Sequence, residues 1–374
     1  MIVETEADTL LSNITVMDKI LTIIIPTYNM EDFLPYCLNS LLIKEGADGL
    51  EVLIINDGSK DSSSEIAHEY ERRYPDTFRV IDKENGNYGS CVNRGLKEAR
   101  GKYVKVLDAD DSFETDNFQR FLLFLGKSDA DLVLSDFNVV DTNRTVRKTI
   151  RYDLGSKTEF CLEDICTTRP FKYMQMHAVT YKLDILRTLD YHQTEGISYT
   201  DQQWIFLPMI AVKNVSRFAL PVYDYLVGRA GQSIRLSDKL KVIAQIVPCV
   251  LDMARGYECH KSNFEGKPIQ DYLYARIIPL LKGVYVDAWQ IYGEPAKKLL
   301  SDFDCRLQQV SPEFYNYIGK PEVSSFMGFE YIRYWRKHHN LNALLVKLCS
   351  KAYVLQQDLR RSTQKDDMAV PGAF

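Results

Sequence analysis

The sequence lacks the cysteine pattern of a disulfide framework or a structural zinc site. Its 8 cysteines are dispersed over 374 residues and form no Cys-x-x-Cys pair. Small disulfide-rich domains and structural zinc sites both depend on paired spacing. We therefore expect reduced thiols packed inside the protein, which is typical of a cytoplasmic location.

A signal peptide and a membrane span are not indicated either. The first 18 residues contain Glu4, Glu6 and Asp8, where a signal peptide would have a basic start and an apolar core. No apolar run approaches the roughly 20 residues that a membrane-spanning helix needs. Any membrane contact is therefore expected to be peripheral.

Three functional classes are disfavoured by what the chain does not contain. The formal net charge of -5 argues against a protein that coats nucleic acid, because such proteins present a basic face. The chain has no Gly-x-x-x-x-Gly-Lys-Ser/Thr loop, and residues 86–89 do not match a dinucleotide-binding fingerprint. P-loop kinases and NAD-dependent enzymes are therefore not indicated.

Short apolar runs alternate with amphipathic stretches between residues 21 and 140. Continuous apolar strands separated by helices are typical of parallel strands that are buried on both faces and joined by right-handed crossovers. The pattern predicts an α/β fold with a doubly wound, mostly parallel sheet flanked by helices. The predicted strands are 21–25, 51–55, 78–81, 103–107 and 132–134, and the predicted helices are 33–42, 62–74, 90–99 and 118–125.

Polar residues follow these strands at the point where each strand ends. The segments are 26–29, 56–59, 85–89 and 108–111. Because ligands of open α/β sheets bind just outside the carboxyl ends of the strands, we expect these segments to line one cleft.

The last of these segments, Asp108-Ala109-Asp110-Asp111, has the strongest chemical signal. Three carboxylates at the end of a buried strand pack poorly, whereas a divalent cation that bridges substrate phosphates needs one or two of them. A metal-diphosphate site is therefore predicted. The alternative is an acidic turn that caps the helix beginning near Thr115.

Three segments together identify a family. LTIIIPTYN (21–29), IINDGSKD (54–61) and DADD (108–111) closely resemble the family 2 inverting glycosyltransferases of the GT-A fold, over residues 19–235. The resemblance implies a metal-dependent hexosyltransferase that uses Mg²⁺ or Mn²⁺. It would move a sugar from a nucleotide diphospho-sugar, expected to be a UDP-sugar, to a glycan or lipid-linked acceptor in surface polysaccharide biosynthesis.

The resemblance also implies roles for individual residues. Asp57 would recognise the base, Asp108 would contact the ribose or sugar, Asp110 would bind the metal, and Asp111 would support the site. Arg229 would fold over the diphosphate. The full set of implied donor-binding residues is Pro26, Thr27, Tyr28, Asp57, Asn87, Gly89, Asn93, Asp108, Ala109 and Arg229.

An inverting transfer needs a base that deprotonates the acceptor hydroxyl, and the resemblance assigns this role to Asp201. The preceding residue is Thr200 where the family has Glu. The alternative is that Thr200 or Asp201 caps the helix that follows. His177 and Trp204 are candidates for the acceptor side, although both are equally typical of structural residues.

The chain departs from the family at a second position. Val92 stands where the family usually has Arg, so a possible donor contact is missing. We therefore assign no donor role to Val92.

The expected organisation follows from these segments. Residues 331–361 carry seven Lys or Arg and one Asp, and a basic amphipathic helix there would lie on an anionic membrane or pack on its own domain. The predicted divisions are a leader (1–18), a GT-A catalytic domain (19–236) with a nucleotide-binding half (19–111) and an acceptor half (112–236), a helical region (237–362) and a tail (363–374).

Two other functions fit an α/β sheet of this kind. A sugar-nucleotide nucleotidyltransferase also uses carboxylates and a metal, but it should have a Gly-rich basic loop after the first strand, which residues 26–29 do not resemble. A non-catalytic glycan-binding or scaffold protein would keep the fold without turnover.

Overall fold

The computed structural model describes residues 19–229, 239–291 and 293–340, with four single positions further on (348, 351, 352 and 355). The predicted leader and tail lie outside the described residues, as does most of the predicted helix between 341 and 360. The fold is therefore built from the remaining ranges.

The first half of the sheet follows the predicted pattern. Four parallel strands lie in the order β3-β2-β1-β4, with in-register pairs such as Ile25↔Ile54 and Ile23↔Lys105. Every residue of β1, β2 and β4 is buried, because helices cover both faces of a parallel sheet. The strands are β1 Leu21–Thr27, β2 Leu50–Asn56, β3 Phe78–Asp82 and β4 Tyr103–Val106.

The second half of the sheet is mixed. The order continues from β4 through β9, β6 and β10 to β5, and β7 and β8 pair at the side with β6 and β10. Strands β9 and β5 run antiparallel to their neighbours, whereas β6 and β10 are parallel. These strands are β5 Ser112–Phe113, β6 Leu132–Val140, β7 Val146–Ile150, β8 Glu159–Cys161, β9 Val179–Lys182 and β10 Asn214–Leu226.

Eight α-helices accompany the sheet in the described part of the chain up to residue 229. The predicted helix at 201–210 is present as the short α8 followed by a 3-10 turn at Leu207–Ile210. The helices are α1 Leu34–Asn39, α2 Ser63–Arg73, α3 Asn87–Glu98, α4 Thr115–Lys127, α5 Leu162–Ile165, α6 Arg169–Lys172, α7 Leu183–Thr188 and α8 Asp201–Trp204.

The remaining described residues form a helical region, as predicted. Helix α9 packs against α10 and α11, and a two-stranded hairpin precedes α14. The elements are α9 Lys239–His260, α10 Pro268–Ile291, α11 Glu294–Val310, α12 Pro312–Ile318, α13 Pro321–Ser324, β11 Ser325–Phe326, β12 Phe329–Glu330 and α14 Tyr331–His338.

The helical region docks directly on the α/β half. Tyr272 donates a hydrogen bond to the carbonyl of Ile205 at 2.6 Å, and Arg276 donates to the carbonyls of Phe171 and Met174 at 2.8 and 2.6 Å. One hydrophobic core runs through both halves. Within the described ranges, no helix is both long and apolar enough to cross a bilayer.

Candidate active site

The acidic segment lies at the carboxyl end of β4, as the sequence predicts. The amide of Asp108 donates to the hydroxyl of Tyr223 at 3.1 Å, and the Tyr88 hydroxyl donates to Asp108 Oδ1 at 2.7 Å. The two tyrosines come from β10 and α3. The cluster is therefore held by hydrogen bonds from both halves of the sheet and does not form a free acidic turn.

Asp111 is the most deeply buried of the three carboxylates, at 1% exposure. Its Oδ2 accepts a hydrogen bond from Tyr223 at 2.6 Å, and its Oδ1 accepts one from the amide of Leu226 at 2.7 Å. Burial, followed by the charges of Asp110 and Asp108, raises the pKa of Asp111 well above its ordinary value. These contacts agree with the supporting role predicted for Asp111.

Asp110 pairs with the predicted diphosphate-binding arginine. The Arg229 Nε donates to Asp110 Oδ2, and the Arg229 guanidinium lies 5.5 Å from the centre of the Phe33 ring. Arg144 donates to the backbone carbonyl of Asp110 at 3.0 Å. Arg229, which was predicted to cover the diphosphate, thus neutralises Asp110, which was predicted to bind the metal.

Asp201 is close to this cluster in space, although it is distant in sequence. Removal from water, followed by the negative charges of Asp201 and Asp110, raises the pKa of Asp108 to about 8. The Asp201 side chain is exposed but opens into a cleft crowded by protein atoms, and this desolvation raises its own pKa to about 6. The structure therefore brings Asp201 close to the acidic cluster 108–111.

Helix capping does not explain the residues around Asp201. Thr200 makes no side-chain cap for α8. Its hydroxyl instead donates to Gln193 Oε1 at 2.8 Å. The capping alternative for Thr200 is therefore wrong.

His177 lies beside the acidic cluster, close to Asp108 and Asp111, and its predicted place on the acceptor side stays a prediction. It is 7% exposed and packs against Tyr225 and Tyr223, with ring centres 4.3 and 4.8 Å apart. Burial, with a contribution from the charge of Lys105, lowers its pKa to about 3, so the imidazole is neutral at pH 7.

The structure gathers a possible metal-binding group that differs from the predicted one. Ligand atoms of Asp108, Asp111 and His177 all lie within 4.8 Å of one another. Within the described residues, His177 Nδ1 is buried without a hydrogen-bond partner. Carboxylates are preferred ligands of Mg²⁺ and Mn²⁺, a neutral imidazole can ligate, and a cation would offset the repulsion between the acids. These three residues fit a divalent ion, whereas Asp110 is not in the group.

Asp57 lies at the carboxyl end of β2, where it was predicted. Its Oδ1 accepts from Lys83 and from the amide of Gly86, and its Oδ2 accepts from the amide of Asn87 at 2.9 Å. The residue is buried, at 2% exposure, and the Cys91 thiol is a further neighbour of its carboxylate. The base-recognition role of Asp57 stays a prediction.

A cavity of about 470 Å³ lies beside Asn56 and Gly58, the neighbours of Asp57. Its wall includes Tyr28 of the predicted nucleotide loop. It is lined by Tyr28, Asn56, Gly58 and Lys83, among others. The Tyr28 ring is 45% exposed, so one of its faces is open to a planar ligand. The cavity provides space for a nucleoside.

Several predicted donor residues are occupied by contacts within the protein. Pro26 does not break the strand, because it pairs with Ile55 inside the β1–β2 register. Thr27 is buried and its hydroxyl donates to the Ile25 carbonyl, and Ala109 is 2% exposed. These residues shape the floor of the cleft through their backbone.

The predicted donor residues Asn93 and Gly89 contact the segment before Asp201. The Asn93 side chain accepts from the Gln193 amide at 2.7 Å and donates to the Gln193 carbonyl at 2.9 Å. A Cβ atom on Gly89 would lie 2.1 Å from the Thr194 carbonyl oxygen. Gly89 is thus required because two segments of the protein approach each other closely at this position. The predicted approach to the donor does not explain the requirement.

The predicted acceptor role of Trp204 is wrong. Its side chain is 1% exposed and packs edge-on against Tyr181 and Tyr191, with ring centres 5.3 and 5.9 Å apart. An aromatic residue three positions into a helix faces the core when the helix begins at the surface of the cleft. Trp204 cannot stack on a sugar.

Four residues of the site were not predicted. Tyr88 and Tyr223 hold the acids, Lys83 holds Asp57, and the fully buried Lys105 donates to the His177 carbonyl at 2.6 Å. Only Lys105 gave a sequence signal, because a lysine inside the buried run 103–107 is unusual. The others come from ordinary helix, loop and strand positions.

The fold and the site together define an α/β domain of the GT-A type, and comparison with known proteins agrees. The structure is similar to Staphylococcus aureus TarS (residues 1–349) solved with UDP-GlcNAc, with a TM-score of 0.60 over 90% of this chain and 92% of that one. The same TarS segment solved alone gives 0.62. At 17% and 16% identity, these likenesses show the fold.

Sequence comparison then points to a family. Residues 22–185 match the model of glycosyl transferase family 2, and this part of the chain is similar to that family. Its relatives include glycosyltransferase EpsJ of Bacillus subtilis (37% identical over 34% of this chain and 37% of EpsJ) and glycosyltransferase MG060 of Mycoplasma genitalium (28% over 58% and 72%). The chain spans little more than a third of the length of EpsJ.

Proposed function

We propose that the protein is a metal-dependent inverting glycosyltransferase that moves a sugar from a UDP-sugar to a glycan or lipid-linked acceptor. The observation that carries the proposal is the meeting of Asp201 with the cluster 108–111 at one cleft. A metal-diphosphate site and a separate base are the two components that a single displacement needs.

In the proposed reaction, the acceptor oxygen attacks the anomeric carbon as the bond from that carbon to the diphosphate breaks. The acceptor proton passes to the Asp201 carboxylate, and the electron pair of the broken bond leaves with UDP. A carboxyl with a pKa of about 6 is ionised at neutral pH and is a stronger base than an ordinary aspartate. The configuration at the anomeric carbon is inverted.

The bound cation would supply charge stabilisation to the leaving diphosphate. Asp108, Asp111 and His177 would hold it, on the basis of their convergence. Arg229 would exchange its contact with Asp110 for the diphosphate, because an arginine fork pairs well with phosphate oxygens. Tyr88 and Tyr223 would keep Asp108 and Asp111 in place.

The choice of UDP is supported by two observations. Asn56 and Gly58, the neighbours of Asp57, line a cavity together with Tyr28, and this cavity has room for a uracil ring. The fold is also that of TarS, which was solved with UDP-GlcNAc. The acceptor, the role in surface polysaccharide biosynthesis and a cytoplasmic position with peripheral membrane contact are extensions of the same proposal.

UDP release tests the proposal. We expect the wild-type protein to hydrolyse a UDP-sugar slowly, with stimulation by Mn²⁺ and loss of that stimulation in Asp108→Asn. Asp201→Asn should bind UDP as the wild type does, measured by calorimetry, but turn over at least 100-fold more slowly. Full activity in Asp201→Asn, or lost UDP binding in that variant, would refute the role of Asp201 as base.

The same assay separates the alternatives. A nucleotidyltransferase would release pyrophosphate from a nucleoside triphosphate, and a non-catalytic protein would raise its melting temperature with UDP but release none. Asp164→Asn is a matched control, because Asp164 is exposed and lies outside the cleft.

A further inference from the structure

A second cavity lies in the helical region and shares no lining residue with the acidic site. It has a volume of about 880 Å³ and is bordered by residues 316–321, 328–330 and 333–338. Five basic side chains and one acidic side chain are among its described lining residues, although the whole protein has a net charge of -5. The charge of this cavity is therefore opposite to that of the molecule.

We propose that this cavity binds an anionic saccharide, namely a segment of the acceptor that carries phosphate or carboxylate groups. The acceptor role rests on the proposed function, whereas the binding itself does not. A pocket of about 300–1,000 Å³ is the usual size of a small-molecule site, so a short oligosaccharide would fit.

Arg336 provides a rigid part of the wall. Its guanidinium lies 3.5 Å from the centre of the Tyr315 ring, and it donates to Asp304 at 2.9 Å and to the Tyr315 carbonyl at 2.9 Å. A third hydrogen bond reaches the Tyr285 hydroxyl at 3.3 Å. Because the guanidinium has five N–H donors, two remain for a ligand in a fixed orientation.

Gly319 permits this arrangement. A Cβ atom at position 319 would lie 2.6 Å from Arg336 Nη1. A side chain there would displace the guanidinium from the cavity wall. The close approach of the backbone to the arginine is thus built into the end of α12.

Lys320 and Lys337 supply the excess positive charge. Arg333 is paired with Glu330 at 2.7 Å, and Arg336 is paired with Asp304. Among the described residues, neither lysine has a carboxylate partner, and Lys320 lies 5.2 Å from the centre of the Tyr317 ring. Two uncompensated ammonium groups at one cavity attract an anion.

An aromatic wall makes a saccharide the preferred class of anion. The rings of Phe329 and Tyr334 lie 5.3 Å apart, and those of Tyr334 and His338 lie 4.6 Å apart. Aromatic rings offer an apolar face with a polar edge, which matches the face and hydroxyls of a sugar ring.

Calorimetry on the full-length protein without donor tests this inference. The probes are hexagalacturonate, the neutral maltohexaose of equal length, and vesicles of phosphatidylglycerol. We expect saturable binding of hexagalacturonate, at least tenfold weaker in Lys320→Glu/Lys337→Glu, and no binding of maltohexaose. The matched control is Lys97→Glu/Lys127→Glu, which reverses two exposed lysines of α3 and α4 and should bind as the wild type does.

Three results would overturn the inference. They are equal binding of the neutral oligosaccharide, an unchanged affinity in Lys320→Glu/Lys337→Glu, and binding to the vesicles alone. Melting curves verify that both double variants fold. UDP release by the wild type is measured separately, so a protein without UDP release would refute the proposed function and leave the binding result valid.

Discussion

At the scale of single residues, the site is governed by carboxylates that are kept close together and away from water. Desolvation and mutual repulsion both disfavour the charged form. Together they raise the pKa of Asp108 and Asp111, and desolvation raises the pKa of Asp201. Hydrogen bonds from Tyr88 and Tyr223 offset part of this cost. A positively charged ligand would offset more of it.

The first residue-scale prediction concerns the pH dependence of Asp201. Its pKa in the folded protein is about 6, so the basic form is lost as the pH falls through 6. We expect kcat/KM for UDP release to decrease about tenfold per pH unit below pH 6 and to level off above it. Asp201→Asn should remove this acidic limb, and a limb of the same position in that variant would contradict the assignment.

Stability should show the opposite trend. A carboxyl whose pKa is higher in the folded than in the unfolded protein binds its proton more tightly when folded. The contribution of Asp201 therefore stabilises the protein at low pH and is lost as the pH rises from about 4 to about 6. Denaturant unfolding of Asp201→Asn at pH 4.5 and pH 7 measures this: the variant should gain more stability relative to wild type at pH 7 than at pH 4.5.

The second residue-scale prediction concerns Trp204. Its side chain is fully enclosed by Tyr181 and Tyr191, so Trp204→Ala should lower the free energy of unfolding by about 3–5 kcal/mol. Trp204→Phe should cost less and leave the KM for acceptor unchanged. A large rise of that KM with unchanged stability would restore the acceptor role.

At the scale of elements, the segment 191–200 connects three parts of the molecule. It accepts hydrogen bonds from Asn93 on α3, and its Thr194 donates to Asp252 on α9 at 2.6 Å. Within it, Thr200 donates to Gln193. Asp201 directly follows this segment, so the segment holds the proposed base in position relative to the donor loop.

Thr200 forms a buried hydrogen bond to Gln193, and this bond gives the element-scale prediction. Thr200→Val keeps the shape of the side chain but removes this bond. We expect kcat to fall roughly tenfold because a small displacement of the base costs rate, with unchanged calorimetric affinity for UDP. Thr167→Val, at an exposed threonine, is the control, and a change in UDP affinity alone would contradict the positioning role.

At the scale of the whole molecule, the helical region is part of the catalytic fold because it is docked by buried polar contacts. Arg276 on α10 reaches two carbonyls of the α/β half, and Asp252 on α9 reaches segment 191–200. The helices thus brace the side of the cleft that carries Asp201. A protein without them would expose the apolar surface beneath.

The whole-molecule prediction tests this docking. Arg276→Ala leaves two carbonyls without their donor and should lower the free energy of unfolding by about 2–4 kcal/mol. Arg306→Ala removes an exposed pair with Asp302 on one helix and should change it by less than about 0.5 kcal/mol. Equal effects in the two variants, measured by denaturant unfolding, would show that the docking contacts contribute little.

The regular parts of the fold could be predicted from the sequence. Strands β1 to β4, the flanking helices and the cleft at their carboxyl ends follow from local apolar patterns and turn residues, which act over a few positions. The mixed half of the sheet could not be predicted this way, because β9 and β5 pair with strands that are distant in sequence. Such pairing leaves no periodic signal.

The sequence by itself indicated the resemblance to family 2 glycosyltransferases, located the acidic cluster and suggested a candidate base, because these depend on short segments whose residue types carry the chemistry. The tertiary structure alone decided that Trp204 is core, that His177 joins Asp108 and Asp111, and that Asn93 and Gly89 contact segment 191–200. It also showed that Arg229 meets Asp110. Each of these findings depends on side chains that burial and long-range contacts bring within a few ångströms of one another. No local sequence pattern encodes such contacts.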